Sequence, residues 1–117
     1  MQSILVLDDD PAICQLVSLV LRSEGIEVAT ANNGDDGLEL LQARRPHLII
    51  LDLQMPKMDG PTFNAEARRA GYDGPVVILS AAPDVEPVRR QLGAAACITK
   101  PFEPEKLVST VKSLLVA

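Results

Sequence analysis

Leu48-Ile49-Ile50-Leu51-Asp52, four apolar residues closed by a carboxylate, is the stretch that decides the fold. A continuous apolar run this short reads as a strand covered on both faces, and burial on both faces belongs to parallel sheets. The pattern recurs along the chain. Ile4-Leu5-Val6-Leu7 runs into Asp8-Asp9, Val76-Val77-Ile78-Leu79 into Ser80, and a weaker Ala96 to Thr99 into Lys100. Ile26 to Thr30 supplies a further strand.

The segments between these runs carry helical signals. Asp10 is a capping residue and Pro11 suits the first helical position. Behind them Ile13, Leu16, Val17, Val20 and Leu21 are predicted to share one inward face, and Gly25 ends that helix. A second helix is expected from Asp35 to Arg44 with Leu38 and Leu41 inward, and a third from Thr62 to Ala70. Pro104 opens a last helix whose face carries Leu107, Val108, Val111, Leu114 and Leu115. The fourth helix is the weak one. Pro83 and Pro87 interrupt the stretch between Ser80 and Gly93, which predicts a short or irregular helix near Val88 to Leu92. Five strand–helix alternations predict a single α/β domain over residues 1–117, a doubly wound five-stranded parallel sheet with five helices. No linker, repeat or output domain is expected within it.

Composition narrows the functions. Of 117 residues, 47% are apolar, enough for a packed core, and 3% are aromatic, too few for a base-stacking platform. A net charge of −5 argues against direct nucleic-acid binding. No stretch has the length of a signal peptide's apolar region or a membrane span, so a cytoplasmic protein without a membrane partner is expected. Cys14 and Cys97 are too few for a disulfide framework. They are expected to stay unpaired, because the first and fifth strands would lie about 14 Å apart and a disulfide needs about 7 Å.

Ligands of open parallel sheets bind beyond the carboxyl ends of the strands, where strand order reverses. With the order 2-1-3-4-5, taken from doubly wound folds of this size rather than read from the residues, that point lies between the first and third strands. Asp8, Asp9 and Asp52 then converge on one crevice, with Ser80 and Lys100 along the same rim. Clustered carboxylates stay ionised only beside a cation. Oxygen ligands without histidine or thiolate favour Mg²⁺. A carboxylate flanked by a metal, a hydroxyl and an ammonium suits phosphoryl transfer through an acyl phosphate.

Four segments, ILVLDDDP at 4–11, LIILDLQMPKMDG at 48–60, VVILSA at 76–81 and ITKPF at 98–102, together resemble the receiver domain of two-component response regulators. That resemblance implies a phosphoacceptor signalling domain rather than an enzyme. It implies that Asp52 takes a phosphoryl group from a histidine kinase or phosphotransfer protein, and that the domain then signals to a downstream target or output domain. It further implies that Asp9, Asp52 and the backbone carbonyl of Gln54 hold Mg²⁺, with Mn²⁺ as a substitute, and that Asp8 assists through water. Ser80 and Lys100 would bind the phosphoryl group, and the Lys100–Pro101 peptide would be cis. Cys97 departs from the pattern: family members usually carry Tyr or Phe three residues before the lysine. Ala95 and Ala96 stand where an acidic pair is common, which removes charges from the usual dimer face.

Two rival functions use the same residues. An aspartate-nucleophile phosphatase of the haloacid-dehalogenase type would match Asp8-x-Asp10, but it needs a later acidic pair at a strand end, and Glu103 and Glu105 open a helix instead. A phosphate-independent pseudo-receiver would bind partners without this acidic set. Simpler readings hold elsewhere: Asp10 caps a helix, and His47 lies at the surface. The pairs Arg44-Arg45, Arg68-Arg69 and Arg89-Arg90 are expected on solvated helix ends, and Met55 and Met58 suggest no cofactor.

Overall fold

Each apolar run pairs edge to edge with another. A computed structural model describes residues 2–82 and 84–115. The strands are β1 (Ser3–Leu7), β2 (Glu27–Ala31), β3 (Leu48–Asp52), β4 (Val76–Ser80) and β5 (Ala96–Thr99), all parallel in the order 2-1-3-4-5. They alternate with helices α1 (Pro11–Arg22), α2 (Gly34–Arg44), α3 (Gly60–Arg69), α4 (Glu86–Leu92) and α5 (Pro104–Leu115). This is the expected fold. The register pairs Leu7 with Leu51, Asp52 with Leu79 and Ser80 with Thr99, so the carboxyl ends of four strands finish along one edge.

The period of two along each strand divides the core. Ile4, Val6, Leu48, Ile50, Val77 and Leu79 face α1 and α5, whose Val17, Leu21, Leu107 and Val111 are fully buried. Leu5, Leu7, Ile49, Leu51 and Ile78 face α2 and α3, which contribute Leu41, Phe63 and Ala67. All five residues of β3 and of β4 are buried, which is why those runs read as unbroken apolar stretches. Burying each such Leu or Ile contributes roughly 1.5–3 kcal/mol, so the sheet centre is the most strongly held part.

Helix ends follow local chemistry. Asp10 Oδ1 accepts from the Ala12 N–H at 2.9 Å ahead of Pro11, Asn33 caps α2, and Asp59 caps α3. Helix α4 has no side-chain cap and no buried residue, and it begins at Glu86 rather than Val88. Pro83 lies outside the described residues.

Other expectations need correction. Leu16 does not join the core: it is 44% exposed, and Cys14 takes the inward position with Val17 and Leu21. The second strand is shifted by one residue and ends at Ala31. Arg68 and Arg89 are not merely solvated. The Arg68 guanidinium donates to the Gly74 and Tyr72 carbonyls and covers the Tyr72 ring, while Arg89 donates to the Ala94 carbonyl and to Glu86. Both guanidinium groups satisfy carbonyls in the loop that follows their helix.

Candidate functional site

The carboxyl edge of the sheet gathers the charged residues. Asp8 directly follows β1 and is fully buried, Asp52 ends β3 at 5% exposure, and Asp9 is exposed beside them. One carboxylate oxygen from each of the three lies within 4.8 Å of the others. Ser80 ends β4, and Lys100 follows β5, where its amide donates to the Ser80 carbonyl at 2.9 Å. The Lys100 ammonium is 2.7 Å from Asp8 Oδ2 and 3.6 Å from Asp52 Oδ2. The Lys100–Pro101 peptide is cis.

Backbone donors orient the two buried acids. The Asp10 amide donates to Asp8 Oδ1 at 3.0 Å, and the Gln54 amide reaches Asp52 Oδ1 at 3.4 Å. The loop after Asp52 returns tightly: the Gly60 amide donates to the Leu53 carbonyl at 2.9 Å. A Cβ at Gly60 would come within 2.8 Å of the Asp52 carbonyl and 2.7 Å of Leu53 Cα, so only glycine permits that approach. The Ser80 hydroxyl accepts from the Ala82 amide at 3.1 Å, which holds it at the rim.

Asn32 and Cys14 have places at the site that the sequence did not announce. The Asn32 side-chain amide donates to the Asp8 carbonyl at 2.9 Å, and the Cys14 thiol donates to the same oxygen at 3.4 Å. They anchor the backbone that carries Asp8 and Asp9. Burial, and then the Asp8 carboxylate, push the Cys14 thiol up to about 11, so it stays protonated as a donor. Asp10 does not face the cluster, because its side chain caps α1; the Asp8-x-Asp10 phosphatase pattern is therefore not assembled.

Of the three clustered carboxylates, Asp8 and Asp52 share one ammonium. Burial, and then repulsion from Asp8, raise the Asp52 carboxyl from 3.8 to about 6, although Lys100 and the Gln54 amide pull the other way. Burial works against the Lys100 charge, but Asp8 and Asp52 outweigh it and raise its pKa. Asp8 Oδ2 has Lys100 as a charge partner and no aligned hydrogen-bond donor among the described residues. An under-satisfied buried oxygen in an all-oxygen set with excess negative charge fits a hard divalent cation.

Comparison with known proteins agrees with this geometry. Residues 4–112 match the response regulator receiver domain. The chain belongs to that family. It is 38% identical to the DNA-binding response regulator MtrA of Mycolicibacterium smegmatis over 116 residues, 97% of this chain and 50% of that protein. This receiver spans about half the length of the curated relatives it matches. Vibrio cholerae chemotaxis protein CheY4 superposes with a TM-score of 0.90 at 34% identity, covering 97% of this chain and 98% of that one. Response regulator TrrA of Thermotoga maritima, solved in complex with Mg²⁺ and BeF, gives a TM-score of 0.87 at 32% identity over 97% and 99% of the two chains. The receiver is thus a two-component signalling domain, and none of its described helices is long and apolar enough to cross a membrane.

Proposed function

We propose that Asp52 is the phosphoacceptor of this receiver and that the domain takes its phosphoryl group from a histidine kinase or phosphotransfer protein. The observation that carries the reading is the pairing of a nearly buried strand-end carboxylate with the Lys100 ammonium, beside two further carboxylates. An Asp52 oxygen attacks phosphorus, the bond from phosphorus to the donor breaks, and an acyl phosphate forms on Asp52. Lys100 then turns from Asp8 towards the new phosphoryl oxygens. The Ser80 hydroxyl, released from the Ala82 amide by a rotamer change, donates to another. Before transfer, Asp8 Oδ2 holds the ammonium at the site at 2.7 Å.

Asp9, Asp52 and the Gln54 carbonyl would hold Mg²⁺ or Mn²⁺, with Asp8 acting through water. When bound, the cation supplies charge neutralisation between the attacking carboxylate and the phosphoryl oxygens. Residues 1–117 act here as one signalling domain in the cytoplasm. The partner downstream is a separate target or an output domain, as in the DNA-binding relatives of twice this length. This reading leaves the domain without turnover of its own beyond loss of its phosphoryl group.

Incubation with acetyl phosphate and Mg²⁺ should add one phosphoryl group, seen by intact-mass spectrometry and localised to Asp52. Asp52→Asn should remain unlabelled. Labelling of that variant in comparable yield overturns the assignment, and an unlabelled wild type favours the pseudo-receiver.

A further inference from the structure

The acid cluster is held only as firmly as the backbone that carries it. Asp8 and Asp9 follow β1 directly, and Asp9 is exposed, with no side chain bonded to its carboxylate among the described residues. Its place beside Asp52 is therefore set by its main chain. The Asp8 carbonyl and the Asp9 amide share one rigid peptide plane. Fixing that oxygen fixes the Cα from which the Asp9 carboxylate projects.

Two side chains fix it. Backbone pairing between β1 and β2 ends where the Asp8 amide donates to the Ala31 carbonyl at 3.2 Å. One residue further on, the Asn32 side chain takes over from the backbone, and its amide donates to the Asp8 carbonyl at 2.9 Å. From the α1 side, the Cys14 thiol donates to the same oxygen at 3.4 Å. The Asn32 amide also lies 3.6 Å from the Cys14 sulfur, so the three groups close a triangle. The sheet does not depend on this arrangement: its β1–β2 register is complete at Leu7 and Ala31, and Asn32 is itself exposed. What the triangle holds is the strand end that bears two of the three acids.

The size of a cation makes that hold matter. Mg²⁺ demands near-octahedral oxygens at about 2.0–2.1 Å, whereas Ca²⁺ accepts looser geometry at about 2.3–2.6 Å. A cluster whose exposed member can shift suits the larger ion, and one whose backbone is pinned suits the smaller.

We propose that Asn32 and Cys14 are positioning residues that hold the acid cluster to the dimensions of Mg²⁺ and against those of Ca²⁺. The inference rests on the reading of Asp9 as a Mg²⁺ ligand. Asn32 carries the larger share, because a thiol is a weak donor.

Calorimetric titration of the full chain with Mg²⁺ and, separately, with Ca²⁺ tests this. Asn32→Ala should weaken Mg²⁺ binding about threefold, and the double variant with Cys14→Ala about tenfold, within the range that one or two net hydrogen bonds supply. Ca²⁺ binding should change less than about twofold in both. Leu21→Ala is the structural control: it empties a fully buried position behind α1, lowers stability and should leave the ratio of the two affinities unchanged. Unaltered Mg²⁺ affinity in the double variant overturns the proposal, as does a Ca²⁺ affinity that falls in step with it. A ratio that falls as far in Leu21→Ala also overturns it, because loss of packing would then account for the effect. Asn32 is exposed, so its single variant gives the answer even where loss of Cys14 unfolds the chain. A wild type without Mg²⁺ binding refutes the reading of the cluster as a metal site, and this inference with it.

Discussion

Replacing Asp52 by asparagine should make the metal-free protein more stable at neutral pH, although it removes the group on which the chemistry turns. The native carboxyl titrates near 6 instead of 3.8, first through burial and then through repulsion by Asp8. Two pK units correspond to about 3 kcal/mol of native-state penalty for the ionised form. Asparagine keeps the shape and an acceptor for the Gln54 amide, and it carries no charge. The sign follows from proton binding. Well below pH 3.8 both folded and unfolded chains hold the proton, and the penalty is absent. Between 3.8 and about 6 the unfolded chain releases it first, so wild-type stability falls as pH rises. Above about 6 the full penalty is present. Urea unfolding in chelator should therefore show the variant ahead by about 1 kcal/mol near pH 4.5 and about 3 kcal/mol near pH 7.5. The larger difference corresponds to a Tm about 10 °C higher for a chain of this size. Saturating Mg²⁺ should narrow the gap, because the cation neutralises the charge that the substitution removes. A variant no more stable than wild type at neutral pH, or an advantage that does not change with pH, would refute the reasoning.

Asp9→Asn should weaken Mg²⁺ binding by about tenfold or more in calorimetry through loss of one carboxylate, and unchanged affinity would remove Asp9 from the ligand set. Asn64 is 7% exposed, its amide reaches the Leu92 carbonyl at only 3.4 Å, and its Oδ1 has no donor among the described residues. Asn64→Leu should accordingly raise stability by about 1 kcal/mol in urea titration, and a loss of stability would show that the amide bond outweighs the orphaned oxygen. Leu21→Ala should cost about 2–5 kcal/mol and Leu19→Ala less than about 0.5, because the first side chain is fully buried and the second is 69% exposed. Binding of beryllofluoride should shift backbone amide signals between Ser80 and Leu92 more than those around Cys97. The fourth helix has no buried residue to hold it, and a thiol is too small to fill the space of a switching aromatic ring. Larger shifts at Cys97 with a still fourth helix would contradict this.

The strands and their ends were legible because each apolar run stops abruptly at a charged or hydroxyl residue. Once the sheet order is granted, Asp8, Asp9, Asp52 and Lys100 must meet at one edge, and they do. Periodicity served less well around the helices. It marks a stripe without marking where the stripe leaves the core, so Leu16 and Cys14 exchanged places. Two anchors of Asp8 were hidden for a different reason. Asn32 reaches its carbonyl from 24 residues away and Cys14 from the facing helix, and neither local spacing nor residue type reveals such contacts. Arg68 and Arg89 were read as solvated because their partners are loop carbonyls, which any sequence supplies and none advertises.

The sheet also separates the two thiols. Cys14 belongs to the core beneath α1, 4% exposed and held protonated, whereas Cys97 lies on the opposite face at partial exposure. Burial, and then Glu86, raise the Cys97 thiol as well, so an alkylating probe at alkaline pH meets one accessible sulfur and one that is sealed. The unaltered sequence thus carries its own attachment point for a fluorophore or spin label, a few residues from the helix whose movement such a label would report.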